Sequence, residues 1–247
     1  MELLRLLSSA RWLTTGQVHR RFFACASIGA ARRRLRILAH AGYVRKHHED
    51  RMREALFALG IQGKRALERE GKGEIGLERR PPKEREHMTG IGDIRIAAEM
   101  AGGLEYFFAA SELPGIGWKF AMVPDAVFRI AGRTFAAEYD RGFEGLRYFV
   151  GSKIAWYRGG LPGLPLAAVL VVADLESRMR TLADAIGDRD GTFLCTTIEA
   201  IRRDGLPQAM RGAVRPGCSA GVSCREDSFV SASSLESGGC ENSEAGS

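Results

Sequence analysis

The sequence is short of the features that mark secreted or membrane-spanning chains. Its 247 residues include only five cysteines, Cys25, Cys195, Cys218, Cys224 and Cys240. Their number is odd and no two form a C-x-x-C pair. Neither a disulfide framework nor a structural zinc site is signalled, and reduced thiols are expected. Long apolar runs are also missing. The longest, residues 164–173, falls well short of the ~20 residues a spanning helix needs. The opening MELLRLLSSA has neither a basic lead-in nor a sustained apolar stretch, which predicts no signal peptide, no membrane attachment and a cytoplasmic location. Apolar residues still make up 45% of the chain, which argues against wholesale disorder and leaves enough for a real core.

Charge is unevenly spread. The formal net charge is +6, yet residues 1–72 alone carry +10, residues 86–215 carry −1 and residues 216–247 carry −4. A positive field concentrated in one segment attracts polyanions, so double-stranded DNA is the expected partner; the alternative is a solvated basic face without one. Composition sets the boundaries. Gly71-Lys72-Gly73 and Pro81-Pro82 mark a linker over residues 73–85. Beyond about Pro216 the chain is rich in Ser, Gly, Cys and Glu, which predicts a disordered tail over 216–247.

Residues 1–72 read as a winged helix-turn-helix. Leu3, Leu4, Leu6 and Leu7 open a first helix. Thr14-Thr15 can cap a second, and Ser27 a third that ends at Gly42. In the third, Ile28, Ala31, Leu35 and Leu38 fall on one stripe. Arg33, Arg36 and His40 then lie on the far side, flanked by Arg32 and Arg34. Tyr43-Val44-Arg45-Lys46, a polar stretch from His47 to Arg53, and residues 55–59 predict a hairpin with a charged tip. A closing helix spans Gln62 to Glu70. The third helix would enter the major groove, with Arg45 and Lys46 on the wing touching phosphates.

Residues 86–215 read as α/β, with the order αβββαβ and a mixed sheet covered by helices. Expected elements are helices over 85–101, 144–157, 175–186 and 198–203, and strands over 105–110, 122–130, 133–140, 166–174 and 192–196. Acid collects at Pro124-Asp125 and at Glu138-Tyr139-Asp140. If Ala131-Gly132 is a two-residue hairpin turn, Asp125 stands opposite Glu138, with Cβ atoms about 4.5–5.5 Å apart. Asp140 shares that face. Like charges so placed repel unless a cation or a proton lies between them, and oxygen-only ligation suits Mg²⁺ or Mn²⁺. The alternative is a solvated rim where the acids pair with Arg129 or Arg141. Lys153 falls in the middle of the apolar stripe Leu146, Phe149, Val150 and Tyr157, so it either snorkels or meets an acidic partner.

Several motifs then line up. They are Glu86-His87, Gly92-Asp93-Ile94-Arg95, Pro124-Asp125-Ala126, Glu138-Tyr139-Asp140-Arg141-Gly142 and Lys153-Ile154-Ala155-Trp156-Tyr157. Together with the winged helix they resemble the replication-relaxation family of plasmids and integrative elements. The second part resembles the PD-(D/E)XK, restriction-endonuclease-like superfamily. The resemblance implies DNA binding linked to mobile-element replication, relaxation or transfer. It implies Asp125 and Glu138 as metal ligands, with Asp140, Lys153 and, on the helix before the sheet, His87 and Glu86 completing a catalytic set. That superfamily's lysine sits two residues after the second acid, and here that position is Asp140. Either Lys153 takes its place, or the fold is kept without cleavage. Two functions therefore compete: a metal-dependent nicking enzyme, and a non-catalytic accessory or regulatory protein that docks a relaxase or replication initiator or forms a homodimer.

Overall fold

The structure is a computed structural model and describes residues 1–47, 53–71, 74–161, 163–187 and 191–214. The expected wing tip at 48–52, with His48, the start of the linker at 72–73, and the tail with Cys218, Cys224 and Cys240 lie outside the described residues. No helix among the described residues is long and apolar enough to cross a membrane.

The chain opens with α1 (Glu2–Ala10), β1 (Leu13–Thr14), α2 (Thr15–Phe22), α3 (Ile28–His40), β2 (Val44–His47), β3 (Leu56–Leu59) and α4 (Ile61–Arg69). Thr14 caps α2 reciprocally. Its hydroxyl accepts from Gln17 N, and the Gln17 side chain accepts from Thr14 N. Ser27 holds the N-cap position of α3 without a side-chain capping bond. Gly42, at φ 74°, ends that helix: its N–H donates to Ala39 O, and the Tyr43 N–H to Leu38 O. On α3, Ala31 and Leu35 are buried and Leu38 partly so. Ile28, expected on the same stripe, is 40% exposed because it is the first helical residue, beyond the packed span. The three strands form an antiparallel sheet in the order β1-β3-β2.

The second part begins with α5 (Arg85–Met100) and β4 (Leu104–Ala109), then a 3-10 turn (Leu113–Ile116). β5 (Ala126–Ile130) and β6 (Arg133–Asp140) follow. β5 starts later than expected, since Pro124 has no N–H to give a ladder. The next helix is continuous over residues 146–158, as α6 (Leu146–Tyr148), a π-helical stretch (Phe149–Ile154) and α7 (Ala155–Arg158). β7 (Ala168–Ala173), α8 (Glu176–Ile186), β8 (Phe193–Thr197), α9 (Ile198–Asp204) and a further helix, α10 (Leu206–Arg211), complete it. The sheet order is β4-β5-β6-β7-β8, antiparallel through β6 and parallel from β6 to β8. The protein is thus α/β with a mixed five-stranded sheet.

That sheet is covered on both faces. Ile94 and Ala98 of α5, Ile201 of α9 and Ala209 of α10 pack on one face, against Phe128, Phe135 and Leu170. Phe149, Ile154 and Tyr157 of the 146–158 helix, with Leu182 and Ile186 of α8, pack on the other, against Ala136, Val169 and Val171. The β5–β6 hairpin turns on Ala131-Gly132, both at positive φ (48° and 75°), and pairs Ile130 with Arg133. Positive φ at both central residues is what a tight hairpin matched to strand twist requires.

α5 is the shared element. Residues 90–98 are all buried, and Ile96 joins the core of the first part. Gly90 and Gly92 look like weak points of a helix in the sequence; in the structure they are its closest contacts. A Cβ on Gly90 would lie 1.9 Å from the Tyr139 ring, and one on Gly92 3.0 Å from Gln17 Nε2. Asp93, 4% exposed, takes donors from three directions. Gln17 Nε2 donates at 2.9 Å, Arg20 pairs with Oδ1, and Arg202 of α9 pairs with Oδ2 at 2.7 Å. Arg21–Glu99 (3.1 Å) adds a second tie between α2 and α5.

Candidate functional site

Two regions concentrate charge. The first is the outward side of α3. Burying Ala31 and Leu35 turns Arg32, Arg33, Arg34, Arg36 and His40 to solvent, and all five are exposed. Arg32, Arg33 and Arg36 line a groove of about 670 Å³ together with Lys46 of β2, Arg53 and Phe57. Arg34 and His40 are exposed beside it, outside its lining. Arg45 is not brought to the groove. Successive strand residues face opposite ways, so Arg45 lies on the far face of the small sheet from Lys46. Its Nε and Nη2 are buried there without a hydrogen-bond partner among the described residues.

The second region is the edge of the five-stranded sheet where β5 begins and β6 ends. The observed register, Ala126 with Ala137, carries Asp125 to the position opposite Glu138. Glu138 is fully buried, and both its oxygens are engaged from the 146–158 helix. Tyr157 Oη donates to Oε1 at 2.5 Å, and Lys153 Nζ donates to Oε2 at 3.1 Å. Lys153 and Tyr157 are four residues apart and so share a helix side. Lys153 also reaches Glu144 Oε1 at 3.1 Å, so the lysine in the apolar stripe has acidic partners. Its π-helical setting is a wider turn of a kind that recurs at functional sites.

Asp125 is held from two sides. Tyr139 N–H donates to Oδ2 at 2.8 Å, and His87 Nε2 lies 3.2 Å from Oδ1. The His87 ring stacks on Tyr139, whose hydroxyl donates to Asp174. Asp140 points to the same sheet face as Glu138 but makes its own pairs: Arg178 Nε donates to Oδ2 at 2.7 Å and Gly142 N–H to Oδ1 at 2.7 Å. The partners of these acids are therefore Lys153, Tyr157, His87 and Arg178. Arg129, a candidate partner on the rim, pairs with Glu105 instead.

Burial and the neighbouring Asp125 charge raise the Glu138 carboxyl to about 7, although Lys153 and Tyr157 oppose the rise. Burial alone would lower the Lys153 ammonium, but the Glu138 and Asp125 charges outweigh it and hold it above its ordinary value. Burial likewise works against the His87 imidazolium, and the Asp125 hydrogen bond and charge lift it above its usual value. The Tyr157 hydroxyl is pushed up by burial and by Glu138, so it stays a donor.

Among the described residues, no group of three or more His, Cys, Asp or Glu could hold a metal ion. Two facing carboxylates do match what Mg²⁺ or Mn²⁺ takes from a protein when substrate and water fill the other positions. The Glu138 carboxyl is raised first by burial and second by the Asp125 charge, and a cation at this place would favour its ionised form. Asp125 and Glu138 are the residues that would hold it, and Lys153 already interacts with both.

The sequence reading missed Tyr157 as a partner of Glu138. It placed the residue in an apolar stripe, yet a buried tyrosine hydroxyl needs a hydrogen-bond partner, and that requirement was a usable signal. Arg178 gave no comparable signal, because its pair with Asp140 lies 38 residues away in the chain and leaves no local pattern; Glu144 stands in the turn before the helix of Lys153, where no periodicity links the two.

An α/β chain with a basic helical face and a buried acid–lysine pair at its sheet edge defines the structural class. The chain belongs to the replication-relaxation family, whose model matches residues 4–159, a span that covers α3 and, in the acid site, His87, Asp125, Glu138, Asp140, Lys153 and Tyr157. Membership associates it with replication or relaxation of plasmid and mobile-element DNA. No curated protein and no solved structure matches it.

Proposed function

We propose that this protein binds double-stranded DNA in the replication or transfer of a plasmid or integrative element. Residues 1–72 act as a winged helix, with α3 in the major groove and β2–β3 as the wing. The carrying observation is the ridge Arg32, Arg33, Arg34 and Arg36. These side chains are exposed, and none takes part in an ion pair among the described residues. Four exposed arginines together keep a strong positive field open to an external polyanion. Arginines on such a ridge can pair bidentately with guanine edges, while Lys46 is set to meet phosphate.

A second reading adds nicking of one strand by the acid site. It is favoured by Asp125, Glu138 and Lys153 coming together at one sheet edge. A divalent cation bound by the two carboxylates would supply an activated water. Lys153 would steady charge on the phosphate, and His87 would hold Asp125 in place. The competing view keeps the scaffold without cleavage, with Lys153 as the resident cation and the second part docking a relaxase, a replication initiator or a second copy of the chain.

A supercoiled plasmid incubated with protein and Mg²⁺, Mn²⁺ or EDTA separates these readings. Retarded but uncut plasmid, the same for wild type and Asp125→Ala, supports a DNA-binding accessory protein. Metal-dependent conversion to open circle, lost in Asp125→Ala, establishes nicking. No retardation at low salt overturns both.

A further inference from the structure

Between the α3 groove and the acid site lies one carboxylate shared by two arginines. Glu86 Oε1 pairs with Arg53 Nη1 at 3.0 Å, and Oε2 lies 3.7 Å from Arg141 Nη1. Arg53 also lines the α3 groove. Arg141 directly follows the β6 segment that carries Glu138 and Asp140. Glu86 thus stands where the two charged regions meet, and it is nearly half exposed.

Arg141 is unusual in being placed but not satisfied. Its side chain is 21% exposed, and its guanidinium lies 4.9 Å from the centre of the Phe143 ring. Its two carboxylate neighbours, Glu86 at 3.7 Å and Asp174 at 3.6 Å, are both beyond good hydrogen-bond length. Its Nε is buried and has no hydrogen-bond partner among the described residues. A planar guanidinium held on a ring, with an idle buried N–H, is short of one bidentate acceptor. A phosphodiester, which like a carboxylate spreads one negative charge over two oxygens and can take guanidinium N–H groups in pairs, suits both Arg141 and Arg53.

We propose that Arg53 and Arg141 together grip a backbone phosphate of the bound DNA, and that Glu86 holds their place until the strand displaces it. The clamp leads a strand from the α3 groove toward the acid site. It rests on the DNA-binding reading above and would operate whether or not the strand is cut. Phe143, 81% exposed, serves as the flat support under Arg141.

The test is a titration of a fluorescein-labelled duplex with the full chain at several salt concentrations. Glu86→Gln should tighten binding about two- to fivefold, the range of one exposed ion pair. Misfolding cannot produce such a gain. Arg141→Ala should weaken binding about tenfold and reduce the slope of log affinity against log salt by about one. The gain from Glu86→Gln should vanish in the Arg141→Ala background. No gain from Glu86→Gln, or an equal gain with and without Arg141, would overturn the clamp, the latter reducing Glu86 to a general field effect. The doubly substituted Arg33→Ala, Arg36→Ala protein keeps the two ideas apart. If it loses binding while the clamp variants behave like wild type, the clamp alone fails. If the wild-type chain itself does not bind the duplex at low salt, the DNA-binding reading fails and takes the clamp with it.

Discussion

On α3, four arginines stand in solvent without a carboxylate partner among the described residues; on β6, two carboxylates lie buried with all four oxygens engaged. The contrast follows from solvation. Water stabilises the exposed guanidinium groups at little cost, so they can await an external anion. A buried carboxylate has lost that hydration and is tolerable only with partners supplied by the fold. Function in the first region would therefore be gained by adding a ligand. In the second, a ligand would have to exchange for an existing contact.

The largest expected effect comes from cutting the tie between the regions. Asp93→Ala strips the acceptor from Gln17, Arg20 and Arg202. The two arginines are about a third exposed, so water partly compensates. A loss of about 3–4 kcal/mol in denaturant unfolding is expected. A change below about 1 kcal/mol would mean that the cluster does not hold the two parts together.

Next is Glu138→Gln, read as stability against pH. The folded carboxyl titrates near 7 and the unfolded one near 4.5. The folded state therefore binds the proton more tightly. Stability from this group is full below the unfolded value and is lost as pH rises through about 7. Glutamine does not titrate, so the variant should gain on wild type across that window, by on the order of 3 kcal/mol. Paired melting curves at the two ends check this, and a constant difference would show the acid site to be unstrained.

A smaller effect, with the opposite profile, is expected on α3. Replacing Arg33 and Arg36 by Ala should leave unfolding within about 0.5 kcal/mol of wild type. Duplex affinity should fall at least about tenfold, and the salt slope by about two. If stability drops instead, the ridge is structural and the contrast between the regions collapses. The smallest effect belongs to the turn that sets Asp125 against Glu138. Ala131 sits at φ 48°, which Asn accepts more readily, so Ala131→Asn should stabilise by about 0.5 kcal/mol in thermal melts.

Much of this arrangement was legible in the sequence, for local reasons. The α3 stripe, the Thr14 cap and the Gly42 stop depend on residues within a few positions of one another. The Asp125–Glu138 register followed from a two-residue turn and the period of a strand. The Lys153 partner was readable because a cation on an apolar stripe calls for an acid. What escaped depends on distant packing. The π-helical stretch leaves no compositional mark, and Gly90 could be seen as required only once Tyr139 lay against it. Arg45 shows the limit of reading charge without faces. It counts toward the basic segment, yet strand alternation turns it away from the groove.

Asp93 has one more consequence. Because its carboxylate joins α2, α5 and α9, the arginine ridge cannot swing relative to the acid site without stranding a buried charge. A duplex seated on α3 would meet the sheet edge at a set number of base pairs from its contact point. The protein would then act as a molecular ruler, and lengthening a DNA site between the two contacts would shift the helical phase of the second without altering the first.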